Sequence, residues 1–288
     1  MKPFEKMVKR KGGSSSFGVK PLNNIVVKSR KRSREITSKY HEIQNRLAMS
    51  KGDEKTKLLK QLDEIGGVDA YQQASIISTR HFNTSRWVVK TLNEINKLNE
   101  PLNKYNKLNV LEVGAINIQL QKYSHLQVRS IDLHSQHPSI EEISFFSINP
   151  THEYDVVVCS MVINCVPTAA LRFEMLARLK CHLKSPESLL FLALPKRCID
   201  CKHVGYDNFL LLLECLGYYQ VIPNRVTPKI IFYVLGCASV TSTDTSYNWK
   251  NEISKQLRGS KAPSCFLKPQ ECAATEFSIY IEQSVMHK

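Results

Sequence analysis

The chain has 288 residues, 42% of them hydrophobic, and a mean hydropathy of -0.26, enough for a sizeable core and too polar for a membrane bundle. No apolar run reaches bilayer length and no signal-peptide core stands at the N-terminus, so no membrane role is expected. The net charge is +14 and uneven: residues 1–34 hold eleven Lys/Arg against Glu5 alone, so that segment is +10 and the other 254 residues are +4.

In chain order, residues 1–34 read as a basic disordered tail, with a flexible stretch at Gly12-Gly13-Ser14-Ser15-Ser16. Such a charge suits a polyanion, because each neutralised phosphate releases counterions. Lys28-Ser29-Arg30-Lys31-Arg32-Ser33-Arg34 also has the look of a nuclear import signal. Residues 35–105 read as a helical extension. Ile36, Tyr40, Ile43 and Leu47, then Leu58, Leu59, Leu62 and Ile65, recur at helical spacing. Gly52-Asp53 separates the two helices, with Asp53 a candidate cap, and Gly66-Gly67 ends the second. Further helices are expected over Asp69 to Ile77 and from Thr84-Ser85 through Ile95.

Residues 106–240 read as an α/β domain. Val110, Leu111 and Val113 make a buried strand that ends at Gly114, a helix fits Ile116 to Tyr123, and a second strand runs from Val128 to Asp132. Strand, glycine turn, helix and an acid-tipped strand form the opening unit of a nucleotide-binding sheet. Asp132, eighteen residues after Gly114, can accept hydrogen bonds from ribose hydroxyls. The G-x-G-x-x-G of a dinucleotide fold is missing, since Gly114-Ala115-Ile116-Asn117-Ile118 holds one glycine. A third strand is expected over Ser144 to Ser147 and a fourth, apolar throughout, over Tyr154 to Ser160. The loop Asn164-Cys165-Val166-Pro167, a helix over Thr168 to Leu183, a fifth strand over Leu189 to Leu194 and a helix over Tyr206 to Leu216 follow. Strands over Tyr218 to Val226 and Ile230 to Leu235, joined by Thr227-Pro228-Lys229, are too close for a parallel crossover and must be antiparallel. Residues 241–288 are a C-terminal extension without an assigned role.

A dehydrogenase sheet is parallel throughout. An antiparallel C-terminal hairpin points instead to the Rossmann-like, seven-stranded class I methyltransferase sheet, whose ligand S-adenosylmethionine has no pyrophosphate to cradle. The nine cysteines are scattered and odd in number, as reduced buried thiols are. Cys198-x-x-Cys201 with His203 lacks a second ligand pair at zinc spacing, so no metal is expected.

Over residues 60 to 236 the chain resembles the fungal nucleolar methyltransferases that modify N1 of an adenine in 25S ribosomal RNA. The resemblance rests on Gly66-Gly67-x-x-x-Tyr71-Gln72-x-Ala74-Ser75, Ser85-Arg86-Trp87, Leu111-Glu112-Val113-Gly114, Ile131-Asp132-Leu133, Tyr154-Asp155-Val156-Val157, Asn164-x-Val166-Pro167 and Leu192-x-Leu194-Pro195 before Cys198. It implies S-adenosylmethionine as methyl donor, ribosomal RNA or a pre-ribosomal particle as partner, and a place in the nucleus and nucleolus. By position, Glu112, Gly114 and Asp132 would bind the cofactor, and Ser160 and Asn164 would face the methyl group and the target base. Cys165 reads as a buried thiol and not as the nucleophile of a pyrimidine C5 methyltransferase. The alternative function is a non-catalytic RNA-binding ribosome-assembly scaffold on a degenerate methyltransferase fold, with a dehydrogenase third.

Overall fold

The structure is a computed structural model that describes residues 29–47, 50–79, 83–99, 107–135, 137–150, 152–238, 249–258, 260–269 and 276–286. The tail up to residue 28 lies outside the described residues, as do the stretches where the sequence sets boundaries at 105 and 240.

Three helices come first: α1 (Arg30–Leu47), α2 (Gly52–Glu64) and α3 (Gly67–Thr79). α1 begins inside the segment that reads as a tail. Tertiary packing decides this: Ser33 is fully buried and its hydroxyl donates to the Ala74 carbonyl, while Ile36 packs on Ala70 and Ala74 of α3. Gly66 (φ +90°) and Gly67 (φ +59°) turn the chain directly from α2 into α3, a left-handed path that side chains resist. Asp53 does not cap α2. Lys51 holds the N-cap position without a side-chain bond, and Asp53 sits in the first turn, where its charge suits the helix dipole. In α4 (Thr84–Glu94), the cap is Asn83, whose side chain accepts from Arg86 N. Trp87 anchors α4 to the sheet, meeting Phe191 and Phe232 edge-on at 5.2 and 4.9 Å.

The rest is a mixed α/β body around a central, mostly parallel sheet, compatible with a Rossmann-like fold. Its strands are β1 (Leu108–Val113), β2 (Leu126–Asp132), β3 (Glu141–Glu142), β4 (Val156–Ser160), β5 (Leu189–Pro195), β6 (Tyr218–Gln220), β7 (Arg225–Val226) and β8 (Ile230–Cys237). They lie in the order β3-β2-β1-β4-β5-β8-β6, with β7 also paired to β8. Pairs among β1 to β5 are parallel, and β8 runs antiparallel to β5, β6 and β7. Among the described residues eight strands stand where the sequence suggests seven, because the stretch over 218–226 is two short pieces. Pro223, which has no N–H for a ladder, lies in the gap between them. Helices α5 (Ala169–Cys181), α6 (Lys196–Ile199) and α7 (Tyr206–Cys215) follow β4 and β5, and α8 (Trp249–Arg258) and α9 (Gln283–Met286) close the chain.

Each sheet face carries its own core. Leu111, Val113, Ile131, Val157, Cys159 and Leu192 pack with Phe173, Leu176, Phe209 and Leu213 of α5 and α7. Val110, Val156, Val158, Phe191 and Ala193 pack with Trp87, Val88 and Leu92 of α4. β4 and β5 are therefore apolar on both faces, as central strands must be.

Two sequence expectations shift. Ile116 to Tyr123 is not a helix but a run of bends and one 3-10 turn, Leu120–Lys122. Asn117 Oδ1 accepts from Gln119 N at 3.0 Å, a local bond that competes with helix formation between two β-branched isoleucines. The third strand is Glu141–Glu142; Phe145–Ser147 is instead a 3-10 turn capped by Ser144, whose hydroxyl accepts from Phe146 N.

Candidate active site

Neighbours β1 and β4 are not consecutive in the chain: the order runs outward through β2 and β3 on one side and β5 on the other. Ligands of open α/β sheets bind at such a switch point, beyond the carboxyl ends of the strands. Gly114 follows β1 there, Asp132 ends β2 and Ser160 ends β4.

Gly114 has φ +74°, and a Cβ built on it would lie 2.3 Å from Val162 Cγ2. The turn after β1 and the loop after β4 are thus in contact across the switch point, and only glycine fits between them. Glu112 lies two residues back, buried between strands, and accepts from Ser130 Oγ at 3.0 Å. Ser130 in turn accepts from Gln121 Nε2 at 2.9 Å. Burial pushes the Glu112 carboxyl up to about 7 against the opposing pull of the Ser130 bond. Asp132 is half-buried, and burial raises its carboxyl as well, offset by the bond its Oδ1 accepts from His134 N at 2.9 Å. Its Oδ2 takes no hydrogen bond among the described residues.

On the β4 side, Ser160 Oγ accepts from Thr84 Oγ1 at 3.0 Å, which ties the start of α4 to the site. Met161 follows with φ +62°, an uncommon backbone shape for a non-glycine residue and the sort that marks functional turns. The 3-10 turn Ile163–Cys165 then presents Asn164. Its Nδ2 donates to Cys165 Sγ at 3.2 Å, and its Oδ1 is buried without a partner among the described residues. A buried unpaired acceptor costs about 1–3 kcal/mol, which a ligand's donor would recover.

The helical segment reaches the same loop. His41 Nε2 of α1 lies 3.6 Å, and Tyr71 Oη of α3 3.8 Å, from Cys165 Sγ. Tyr71 stacks on Tyr40 at 4.2 Å, and His41 meets Tyr71 edge-on at 5.1 Å. Burial, with Arg197 nearby, lowers the His41 imidazole to about 4, so it is neutral at physiological pH. Burial pushes the Cys165 thiol up to about 12, which leaves it no nucleophile.

Residues 56–266, which hold all of this except His41 and Tyr40, match the family described as 25S rRNA (adenine(2142)-N(1))-methyltransferase, Bmt2. The chain belongs to that family. A Schizosaccharomyces pombe (strain 972 / ATCC 24843) protein named 25S rRNA adenine-N(1) methyltransferase is 28% identical over 247 residues, which is 80% of this chain and 90% of that one. The family match takes in the Gly114 turn, Asp132, Ser160 and the Asn164 loop together.

Of the residues the sequence singles out, Gly114, Asp132, Ser160 and Asn164 stand at the strand tips, whereas Glu112 is held within the sheet by Ser130. Three contributors carry no assigned role in the sequence reading. Tyr71 lies in the glycine-led motif of α3, but what it meets is set by the fold. His41 lies 124 residues from Cys165, and no local pattern marks it. Arg172 of α5 is buried, donates to Val166 O at 2.8 Å and Ser278 O at 2.9 Å, and stacks over Phe277. It braces the Asn164 loop against the C-terminal extension. Its only signal is a cation on the apolar helix face shared with Met175 and Leu179.

No helix among the described residues is long and apolar enough to cross a membrane. Among them, no cluster of three or more His, Cys, Asp or Glu side chains is placed to hold a metal ion. Cys201 donates to the Cys198 and Phe277 carbonyls, and His203 pairs with Glu276 at 2.9 Å.

Proposed function

We infer that this protein methylates N1 of an adenine in 25S ribosomal RNA, with S-adenosylmethionine as methyl donor. The observation that carries the reading is the family match over the whole switch-point site. The sheet supports a class I methyltransferase, in which one strand, β8, opposes its neighbours. The residues fit this donor better than a dinucleotide. No helix N-terminus follows β1 to cradle a pyrophosphate, and the Gly114 turn leaves no room for a side chain.

S-adenosylmethionine, when bound, supplies a methyl group on a sulfonium, an electrophile that a neutral ring nitrogen can attack. On this reading Gly114 passes the methionine part over bare backbone, Asp132 takes the ribose hydroxyls, and Glu112 lies beneath as a buried acid. Ser160 and Asn164 face the acceptor base. Adenine N1 already carries a lone pair, so the chain need not provide a strong base. Its task is alignment, worth ~7 kcal/mol or more when reacting groups are held in line. The alkylated ring becomes cationic, and the Asn164 oxygen or a nearby carbonyl would serve as an acceptor for that charge. The base must be unpaired or flipped out to reach the loop.

Residues 1–34 would hold ribosomal RNA and direct the chain to the nucleolus, 35–105 would form a helical extension, and 241–288 would brace the catalytic domain of 106–240.

The test is deletion of the gene in its host, followed by nucleoside mass spectrometry of purified large-subunit RNA. N1-methyladenosine should fall, and a reverse-transcription stop at one adenine should vanish. Wild-type protein should restore both and Gly114→Arg neither. An unchanged N1-methyladenosine level would overturn the substrate, and loss of another methylated nucleoside would redirect it.

A further inference from the structure

Four polar groups converge on one sulfur. The Cys165 thiol has a single proton, and it points to Met161 O at 3.3 Å. Asn164 Nδ2 donates to the sulfur at 3.2 Å, and with the thiol proton on Met161 O, His41 Nε2 at 3.6 Å and Tyr71 Oη at 3.8 Å are placed to donate to it as well. Each contact is weak alone; donors at His41 and Tyr71 would keep the thiol proton on Met161 O, so that the sulfur meets the Asn164 amide as an acceptor. Turned over, the amide's oxygen would face the sulfur lone pairs and its NH2 would take the buried position that Oδ1 now holds. Held as it is, the buried Oδ1 is the atom left without a partner among the described residues.

We propose that Tyr71 and His41, acting through Cys165, are positioning residues that fix the Asn164 amide with its oxygen towards the target base, where it accepts from the exocyclic amino group beside N1 of adenine. The proposal rests on the reading of Asn164 as a base-facing residue. It gives the site a chemical filter. Adenine offers an N–H donor next to N1, whereas guanine offers a carbonyl oxygen that would meet the Asn164 oxygen acceptor to acceptor. It also gives the helical segment a part in selectivity, since His41 and Tyr71 come from α1 and α3 and not from the sheet. His41 can stand against a developing cation without repelling it, because its imidazole is neutral.

The test compares methyl transfer to a 25S RNA fragment carrying adenosine at the target with transfer to the same fragment carrying purine riboside, which lacks the amino group. Intrinsic differences between the two bases cancel when a variant's kcat/KM ratio is divided by the wild-type ratio. Cys165→Ala and Tyr71→Phe should each shrink the preference for adenosine by roughly three- to tenfold, the value of one hydrogen bond. Affinity for S-adenosylmethionine, measured by calorimetry, should stay within about twofold, since neither residue is assigned to the donor. Cys165→Ser, whose hydroxyl can still donate to Met161 O and accept from Asn164, should keep most of the preference. Variants that slow both substrates equally, or that weaken the methyl donor instead, overturn the proposal while the adenine-N1 reading stands. A wild-type protein that methylates neither fragment overturns both.

Discussion

Thr84 Oγ1 donates to Ser160 Oγ at 3.0 Å, joining the first residue of α4 to the last residue of β4. Asn83, the cap of the same helix, also donates to Gln119 Oε1 beyond β1. The N-terminus of α4 therefore spans the mouth of the switch point, bound to the loops on both of its sides. Thr84→Val should cost about 0.5–1.5 kcal/mol, read as a lower melting temperature, and should weaken the methyl donor severalfold by freeing Ser160. A double-mutant cycle with Ser160→Ala gives the sharper measurement. The two changes should be non-additive, and strict additivity would show that the bond contributes nothing.

Asp132→Asn separates two duties of that residue. The amide oxygen can still accept from His134 N and hold the turn, but the charge is gone. Charge-assisted bonds to ribose are worth roughly 1.5–3 kcal/mol, so affinity for S-adenosylmethionine should fall at least ~tenfold in a protein that melts normally. Asp132→Ala should do the same and also loosen the turn. Unchanged affinity in both would remove Asp132 from the site.

The centre of the fold was legible in the sequence because β4 and β5 are apolar runs with only one possible home, between two covered faces. α5 was legible from its period; the cap is added by the structure, where the Thr168 hydroxyl accepts from Leu171 N. The errors were local contests. Asn117 diverted an expected helix, Ser144 turned an expected strand into a 3-10 cap, and Pro223 split another strand. The strand-tip residues could be placed because sheet topology fixes where strands end. His41, Tyr71 and Arg172 could not be assigned roles, because their contacts join elements far apart in the chain. Packing of α1 on α3 likewise made helix from Arg30 onward, against a composition that reads as a solvated tail.

Glu112 should couple binding of the methyl donor to a proton. Its ordinary value is 4.5, and burial raises it to about 7 in the free protein. The fold thus favours the neutral acid: that contribution is complete below about pH 4.5 and is lost as pH rises through about 7. A cationic methyl donor bound nearby would favour the carboxylate, so binding near pH 6.5 should release part of a proton. Calorimetry in buffers of different ionisation enthalpy measures this directly. Glu112→Gln should abolish the buffer dependence and should unfold at higher temperature than wild type above pH 7. A wild-type binding enthalpy independent of buffer would place Glu112 outside the donor's reach.

His182, at the end of α5, is fully buried, with neither ring nitrogen hydrogen-bonded among the described residues. Burial, with Arg178, His152 and Arg129 nearby, lowers its imidazole to about 3. A depressed histidine stabilises the fold above its unfolded value of ~6.5, and that stability is lost as pH falls towards the folded value. Each pH unit within this window should raise the unfolded-to-folded ratio about tenfold from His182 alone, with His41 adding to the slope above about pH 4. His182→Phe, of similar shape and beside Phe145 and Tyr154, should flatten the acid limb of a denaturation series. An unchanged slope would assign acid sensitivity to other groups.

Gly114 admits a test that separates packing from binding. A Cβ there points at Val162, 2.3 Å from Cγ2, and the φ of +74° strains any other residue. Gly114→Ala should therefore destabilise the protein by about 1–3 kcal/mol, from the strained backbone and the overpacked contact together. Val162→Ala should be mild alone and should restore part of that loss in the double variant, because it removes the atom that the new Cβ meets. The backbone strain stays, so recovery should be incomplete. If the methyl donor passes over the backbone of this turn, the double variant should still bind it, since its Cβ is directed at the loop. Gly114→Arg carries a side chain that extends beyond that contact, and Val162→Ala should not rescue it for binding or for methyl transfer. Rescue of Gly114→Arg by Val162→Ala would mean that the glycine serves only the contact between the two loops, and that the donor lies elsewhere.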